Sequence, residues 1–416
     1  MSKWGRCLTI GFLVFAGASA SVSAETIKIA WIDPLSGAFA NVGESTLRHT
    51  QFAADVVNSH GGVLGGKTFE IVPFDGKASA QDSVLALQKA IDQGIRYVIQ
   101  GAGSNVTHAL RDAIEKHNLR NPERSVLQLN IAGNDSTLVN ERCSFWHFRF
   151  DAGTDMKMQA LGAYVAAQSG IKKVYLINQD YAFGQAVARA AREMLPARRP
   201  DLQIVGDDLH PFGKVKDFSP YVSKITAAGA DTVVTGNWGS DMSLLVKASN
   251  DAGARANFLT YWGNIPGSPK AFGTAGVGHV KVVSQWFANT GGARTLALAE
   301  EYRRRYEAIK DDYFISTSLT AIEMVAKAMT QAGSVEPLAV AKALENMKWQ
   351  SDTGEVQMRA DNHQLLQPLF ISSFVNAEKA GLRLDAEGTG NGFRVDYRIE
   401  GKDTALPTTC KMIRPE

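Results

Sequence analysis

The chain has 416 residues, 45% of them hydrophobic and 21% charged. That is enough apolar surface for two or three globular units at roughly 100 to 200 residues each, and it excludes a disordered or collagen-like chain. Lys and Arg number 44 against 42 Asp and Glu, and the excess positives, Lys3 and Arg6, lie in the first 24 residues, which carry no acid. The balanced remainder lacks the basic footprint that nucleic acid requires.

The first 24 residues read as an export address. Lys3 and Arg6 precede an apolar stretch from Leu8 to Ala18, and Val22-Ser23-Ala24 supplies small residues ahead of Glu25, the order of a cleavable signal peptide. The apolar stretch is too short for a bilayer, which takes about 20 residues, so cleavage after Ala24 and an exported, soluble mature chain are expected. Cys7 precedes the apolar run and is poorly placed for lipid modification. Cys143 and Cys410 would then share an oxidising compartment, where they either pair or stay as thiols; their distance in sequence does not decide between the two.

From Glu25 onward, short β-rich runs alternate with amphipathic stretches. Strands are predicted at 27–32, 69–74, 97–100 and 126–131, with helices at 45–59, 79–93 and 105–117 between them. Val84, Leu87 and Ile91 fall three and four apart, on one helical face. Strand, crossover helix and strand in repetition specify a parallel sheet covered on both faces. The rhythm restarts after Phe150, with helices at 155–168, 182–195, 221–228 and 239–252 alternating with strands at 174–178, 204–209, 232–235 and 258–261. A strand at 280–287 leads to three helices, 295–310, 318–332 and 338–347, and then to β runs at 355–358, 366–375 and 393–399. A helical trio cannot cover itself with a strand-only tail, so the trio is expected on the first sheet and the tail on the second.

The expected fold class is therefore α/β, with two doubly wound parallel-sheet lobes joined by three hinge crossovers near Phe150, Val283 and Trp349. Residues 25–148 and 284–348 would form the N-terminal lobe, and 149–283 and 349–416 the C-terminal lobe.

Most catalytic motifs are missing. Gly61 to Thr68 spells G-x-x-x-x-G-K-T, but a phosphate loop needs a strand before it and a helix after it. Here a helix precedes and a strand follows, so Gly61 or Gly62 is expected to cap a helix end in the left-handed conformation, and no nucleotide binding is expected. No G-x-S-x-G elbow supports an exported hydrolase. The histidines show no H-E-x-x-H or paired Cys/His spacing; His49, His60, His108 and His117 are expected to be solvated or capping, and no metal or cofactor is expected.

What remains is a set of loops at strand carboxyl ends, where ligands collect in open α/β sheets. Residues 34–43 follow the first strand, Gly101 to Asn105 the third, and Ala132 to Asp135 the fourth. Small residues there expose backbone amides, and Ser104 or Asn105 would cap a helix whose positive end suits a carboxylate. The second half offers rings at the equivalent ends: Tyr181, Phe183, Trp238 and Trp262.

These loops also carry a resemblance. Leu35 to Gly43 (L-S-G-x-x-A-x-x-G), Asn58 to Lys67, the run Asp180-Tyr181-Ala182-Phe183-Gly184 and the segment Asp361-Asn362-His363-Gln364 resemble the leucine/isoleucine/valine-binding family of periplasmic solute-binding proteins, the type I binding fold of ABC importers, over essentially the whole mature chain. The resemblance implies a periplasmic receptor without enzymatic activity, a cleft that closes on its ligand, and a permease in the inner membrane as partner. Carried over position by position, it implies ligand contacts at Val42, Ser104, Asn105, Ala132, Gly133 and Asn134 from the first lobe and Phe183 and Trp238 from the second. Amino-acid binders of the family place an acid near Trp262, where this chain has Thr260-Tyr261-Trp262-Gly263-Asn264. An unpaired ammonium there would be costly to bury, which favours a small aromatic or hydrophobic carboxylate unless Asp241 or another acid substitutes. A branched-chain amino acid is the alternative ligand, and a ligand-sensing ectodomain the alternative class.

Overall fold

The computed structural model describes Met1, residues 25–254 and residues 256–415. The expected signal peptide over residues 1–24 lies, but for Met1, outside the described residues. None of the described helices is long and apolar enough to cross a membrane.

The first lobe begins with β1 (Thr26–Asp33), α1 (Ala40–Ser59), β2 (Thr68–Asp75), α2 (Ala80–Asp92), β3 (Tyr97–Gln100), α3 (Ser104–Arg120), β4 (Leu127–Asn130) and β5 (His147–Arg149). Its five strands lie in the order β2-β1-β3-β4-β5, each pair parallel. The residues of β1 from Ile29 to Asp33 are all buried, as a strand covered on both faces requires. The chain steps from β1 outward to β2 and then back across to β3, so a crevice opens at the carboxyl ends of β1 and β3.

The second lobe runs through α4 (Thr154–Ala166), β6 (Lys173–Gln179), α5 (Ala182–Arg198), β7 (Gln203–His210), α6 (Ser219–Ala227), β8 (Thr232–Thr235), α7 (Ser240–Asp251), β9 (Asn257–Thr260), α8 (Ser268–Phe272) and β10 (Val280–Ser284). The chain then forms α9 (Ala293–Arg305), α10 (Thr317–Ala332), α11 (Pro337–Leu344), β11 (Lys348–Ser351), β12 (Gly354–Met358), β13 (Leu365–Leu366), β14 (Leu369–Asn376) and β15 (Asn391–Ile399). The second sheet has the order β15-β14-β10-β9-β8-β6-β7. Its switch point lies between β6 and β8, which brings the loops carrying Tyr181 and Trp238 to its crevice. Among its strands only β14 runs against the rest, antiparallel to both β10 and β15.

The trio α9 to α11 shares the hydrophobic core of the first sheet through Leu298, Tyr302, Ile322, Val325, Met329 and Val340. Of the tail, β14 and β15 extend the second sheet. The run expected as one strand over 366–375 is broken at Pro368, which has no N–H for a sheet ladder. Its first piece, β13, joins β11 and β12 in a separate three-stranded sheet, whose Val356, Met358 and Leu365 enter the first core. Residues 349–366 thus pack with the first lobe, where those three side chains join its core and Trp349 Nε1 donates to Glu323 of α10 at 3.1 Å.

The phosphate-loop look-alike is a helix-to-strand turn. Gly61 and Gly62 have φ of +96° and +65°, the Gly62 amide bonds to the Val57 carbonyl, and a Cβ on Gly62 would come 2.1 Å from the Lys67 carbonyl oxygen.

Cys143 and Cys410 form a disulfide with Cα atoms 5.6 Å apart. The tail beyond β15 has returned to the first lobe to reach it: Thr408 Oγ1 donates to the Val139 carbonyl at 2.9 Å and the Thr409 amide to Asn140 Oδ1 at 3.2 Å.

Candidate functional site

The two crevices face each other across the cleft and enclose one pocket of about 580 Å³, open solvent at its mouth included. From the first lobe it is lined by Asp33, Val42, Thr46, the 101–104 loop, Ile131 and Ala132; from the second by Tyr181, Phe183, Trp238, Trp262 and Ile265; and from the segment before α10 by Phe314, Ile315 and Thr317. Of the residues the sequence pointed to, Val42, Ser104, Ala132, Phe183, Trp238 and Trp262 meet here. Asn105, Gly133 and Asn134 do not line it. Asn134 Nδ2 is committed to Asp151 Oδ2 and the Ala152 carbonyl, at 2.7 and 2.8 Å, which ties its loop to the first crossover.

The backbone amides of the first lobe are divided between the fold and the pocket. Asp33, at the end of β1 and 2% exposed, accepts from the Gly101 amide at 3.0 Å, the Ala102 amide at 2.7 Å and Gln100 Nε2 at 3.3 Å. Asn130 Oδ1 takes the Ala132 and Gly133 amides at 3.1 and 2.6 Å. The amides expected to hold a ligand at those positions are therefore spent, because each strand ends in a polar side chain long enough to reach the next loop. The start of α3 is not spent in this way. Ser104 Oγ accepts from the Asp135 amide at 3.2 Å, which leaves its proton to donate, and the first amides of a helix have no intrahelical acceptor.

A second helix opens on the same space. Thr317 is the first residue of α10, and its buried Oγ1 has no hydrogen-bond partner among the described residues. Two helix N-termini and two hydroxyls thus converge on a pocket walled elsewhere by apolar side chains, an arrangement suited to an anion. Burial pushes the Asp33 carboxyl up to about 7 against the lowering effect of its three donors, so it holds its proton well above the ordinary carboxylate range.

The second wall is aromatic. Trp238 Nε1 donates to Tyr181 Oη at 2.7 Å, and Phe183 packs edge-on against Tyr261 with centroids 5.7 Å apart. Lys157 Nζ lies 4.2 Å from the Trp262 ring centroid and is paired with Asp151 at 2.8 Å, both side chains fully buried. Asp241, the acid considered as a substitute near Trp262, does not line the pocket; it accepts from Gln179 Nε2 and the Gly213 amide at 2.8 and 2.9 Å.

The sequence reading missed Asp33 and the 314–317 segment. An acid directly before Pro34 reads as a turn residue, and its only distinguishing sign is that it ends an otherwise apolar strand. The segment is held by His49, which is buried and not solvated as expected. His49 Nε2 accepts from the Phe314 amide at 3.1 Å, and Nδ1 lies 2.8 Å from the Ser45 carbonyl and 2.9 Å from Tyr302 Oη. Burial lowers its pKa to about 4, which keeps the ring neutral and able to accept. Among the described residues, His, Cys, Asp and Glu form no cluster that could hold a metal ion.

The sequence profile of the family described as periplasmic binding protein matches residues 26–380. A relative in Brucella abortus, named Leu/Ile/Val-binding protein homolog 4, is 31% identical over 411 residues, which is 97% of this chain and 96% of that protein. The closed crystal structure of a leucine-, isoleucine-, valine-, threonine- and alanine-binding protein from Brucella ovis superposes with a TM-score of 0.83 at 29% identity, covering 94% of this chain and all of that one. A solute-binding protein from R. palustris in complex with benzoate shares the fold, with a TM-score of 0.76 at 18% identity over 93% of this chain and 99% of that one. The chain belongs to the periplasmic binding protein family: it is a solute-binding component of the ABC importers, working with a membrane permease, and not an enzyme.

Proposed function

We propose that the interlobe pocket binds a small hydrophobic or aromatic carboxylate, and that the chain reaches the periplasm on a signal peptide cleaved after Ala24. The anionic end would rest on the starts of α3 and α10 and on the Ser104 and Thr317 hydroxyls. The body would lie against Trp238, Phe183 and Trp262. The observation that carries this reading is the buried Thr317 hydroxyl, without a partner among the described residues, lining the same pocket as Ser104 opposite an aromatic wall. Contacts to both lobes would favour the closed state by differential affinity, and the closed form would be presented to the permease.

A second reading, a branched-chain amino acid, is favoured by Asp33, whose carboxylate lines the pocket and would receive an ammonium, and by the names of the Brucella relatives. Calorimetry with benzoate, 4-hydroxybenzoate and leucine at pH 6 and pH 8 separates the two. A carboxylate binds better to protonated Asp33, so its affinity should rise as pH falls through about 7; an ammonium binds better to the ionised form, so leucine affinity should fall. Asp33→Asn should remove either dependence. Binding of leucine alone, lost in Asp33→Asn, would overturn the first reading.

A further inference from the structure

Phe39 does not line the pocket, yet it crosses the cleft. It ends the short 3-10 turn Gly37–Phe39, directly ahead of the first turn of α1 that carries Val42, and is 6% exposed because its ring is seated in the second lobe. There it stacks on Phe212 with centroids 4.6 Å apart and planes 14° apart, and meets Trp238 at 4.2 Å. The seat is cut by two glycines: a Cβ on Gly213 would come 3.1 Å from the Phe39 ring, and one on Gly239 3.0 Å. It is also braced, since Phe212 packs on Tyr181 at 4.5 Å, Tyr181 accepts from Trp238, and Asp241 holds the Gly213 amide. Asn41 Nδ2, in the first turn of α1, reaches the Pro266 carbonyl at 3.4 Å.

We propose that Phe39 is a positioning residue that latches the closed lobes and backs Trp238 against the guest, so that release is timed by a first-lobe ring outside the pocket. Separating the lobes must withdraw this ring and expose both it and its aromatic seat to water, a cost that the closed state avoids. Loss of such a contact acts mainly on dissociation. The inference rests on closure of the cleft and not on which guest is held.

The test compares wild type with Phe39→Ala, Phe39→Leu and Gly239→Ala. Release of benzoate and of leucine is followed by stopped-flow tryptophan fluorescence, and the radius of gyration of the ligand-free proteins by small-angle scattering. Phe39→Ala should release the probe faster by about tenfold or more, with association little changed and a larger ligand-free radius. Phe39→Leu should fall between, and Gly239→Ala, which crowds the seat and also strains a backbone at φ +61° while leaving Phe39 in place, should follow Phe39→Ala. Release within twofold of wild type together with an unchanged radius overturns the latch, as does a fall in melting temperature with neither change. Should wild type bind neither probe, both ligand readings fall, and the radius alone decides the latch, with equal radii overturning it.

Discussion

The two walls of the pocket solve different problems. The first-lobe wall is built from strand-end loops and helix starts, with side chains as small as Ala102, Gly103 and Ser104, and its chemistry lies in backbone amides and hydroxyls. The second-lobe wall is built from rings, and its chemistry lies in surface. On the polar side most of the donors already have acceptors: Asp33 and Asn130 take four amides for the fold, and only what they leave is offered to a guest. On the aromatic side the rings are also packed on one another, Trp238 on Phe39 and Phe212, but what they offer a guest is surface, which packing elsewhere on the ring does not use up. Polar recognition is therefore the scarcer resource in this cleft, and it is carried by fewer atoms.

Changing the charge of the polar wall should have the largest effect. The Asp33 carboxyl titrates at about 7 in the fold against an ordinary value of 3.8, so between those values the folded chain holds a proton that the unfolded chain has lost. Its stabilising contribution is complete below pH 4 and is lost as pH rises through 7. The stability of Asp33→Asn relative to wild type should therefore climb by as much as about 4 kcal/mol between pH 4 and pH 8, measured by urea unfolding. A flat difference would mean that the Gly101 and Ala102 amides keep Asp33 ionised throughout. On the aromatic wall, Trp238→Ala should weaken acid binding by about 2 to 3 kcal/mol and compress the preference for benzoate over a short aliphatic acid in calorimetry. Ser104→Ala and Thr317→Val should each cost about 1.5 kcal/mol, equally for ring and chain; a loss that depended on the body of the acid would erase the distinction between the walls. Smallest of all, Asn105→Ala should stay within about twofold in affinity, since its side chain lies off the pocket and exposed or peripheral changes rarely exceed ~0.5 kcal/mol.

The sheets were legible because strand and helix periods are local. The run from Ile27 to Ile32 and the face of Val84, Leu87 and Ile91 need no partner to be read. The aromatic wall was legible for a related reason, since Tyr181, Phe183, Trp238 and Trp262 stand at strand ends where a core has little use for them. The polar wall was half legible. Ser104 announces itself as the first residue after a glycine loop, but whether an amide is free depends on a side chain from another strand, as Asp33 shows for Gly101 and Ala102. Asn134 looked like a ligand contact and instead bonds Asp151 and Ala152, a pairing set by where the first crossover passes. Phe314 to Thr317 lies between two helices, and nothing in its residues tells that α10 begins at the pocket. Pro368 was visible, yet its consequence, a strand split between two sheets, depends on Leu365 joining a core built largely from the other lobe.

The disulfide joins positions 267 apart, and that span holds all strands of the second sheet and all of α9 to α11. Once oxidised, this stretch is a covalent ring suspended from the segment that follows β4, so cutting any one peptide bond within it leaves a single connected molecule. The ring can close only once Cys143 and Cys410 have both met an oxidising environment. A reductant present during refolding should leave the segment from Leu406 to Arg414 loose while both sheets form without it.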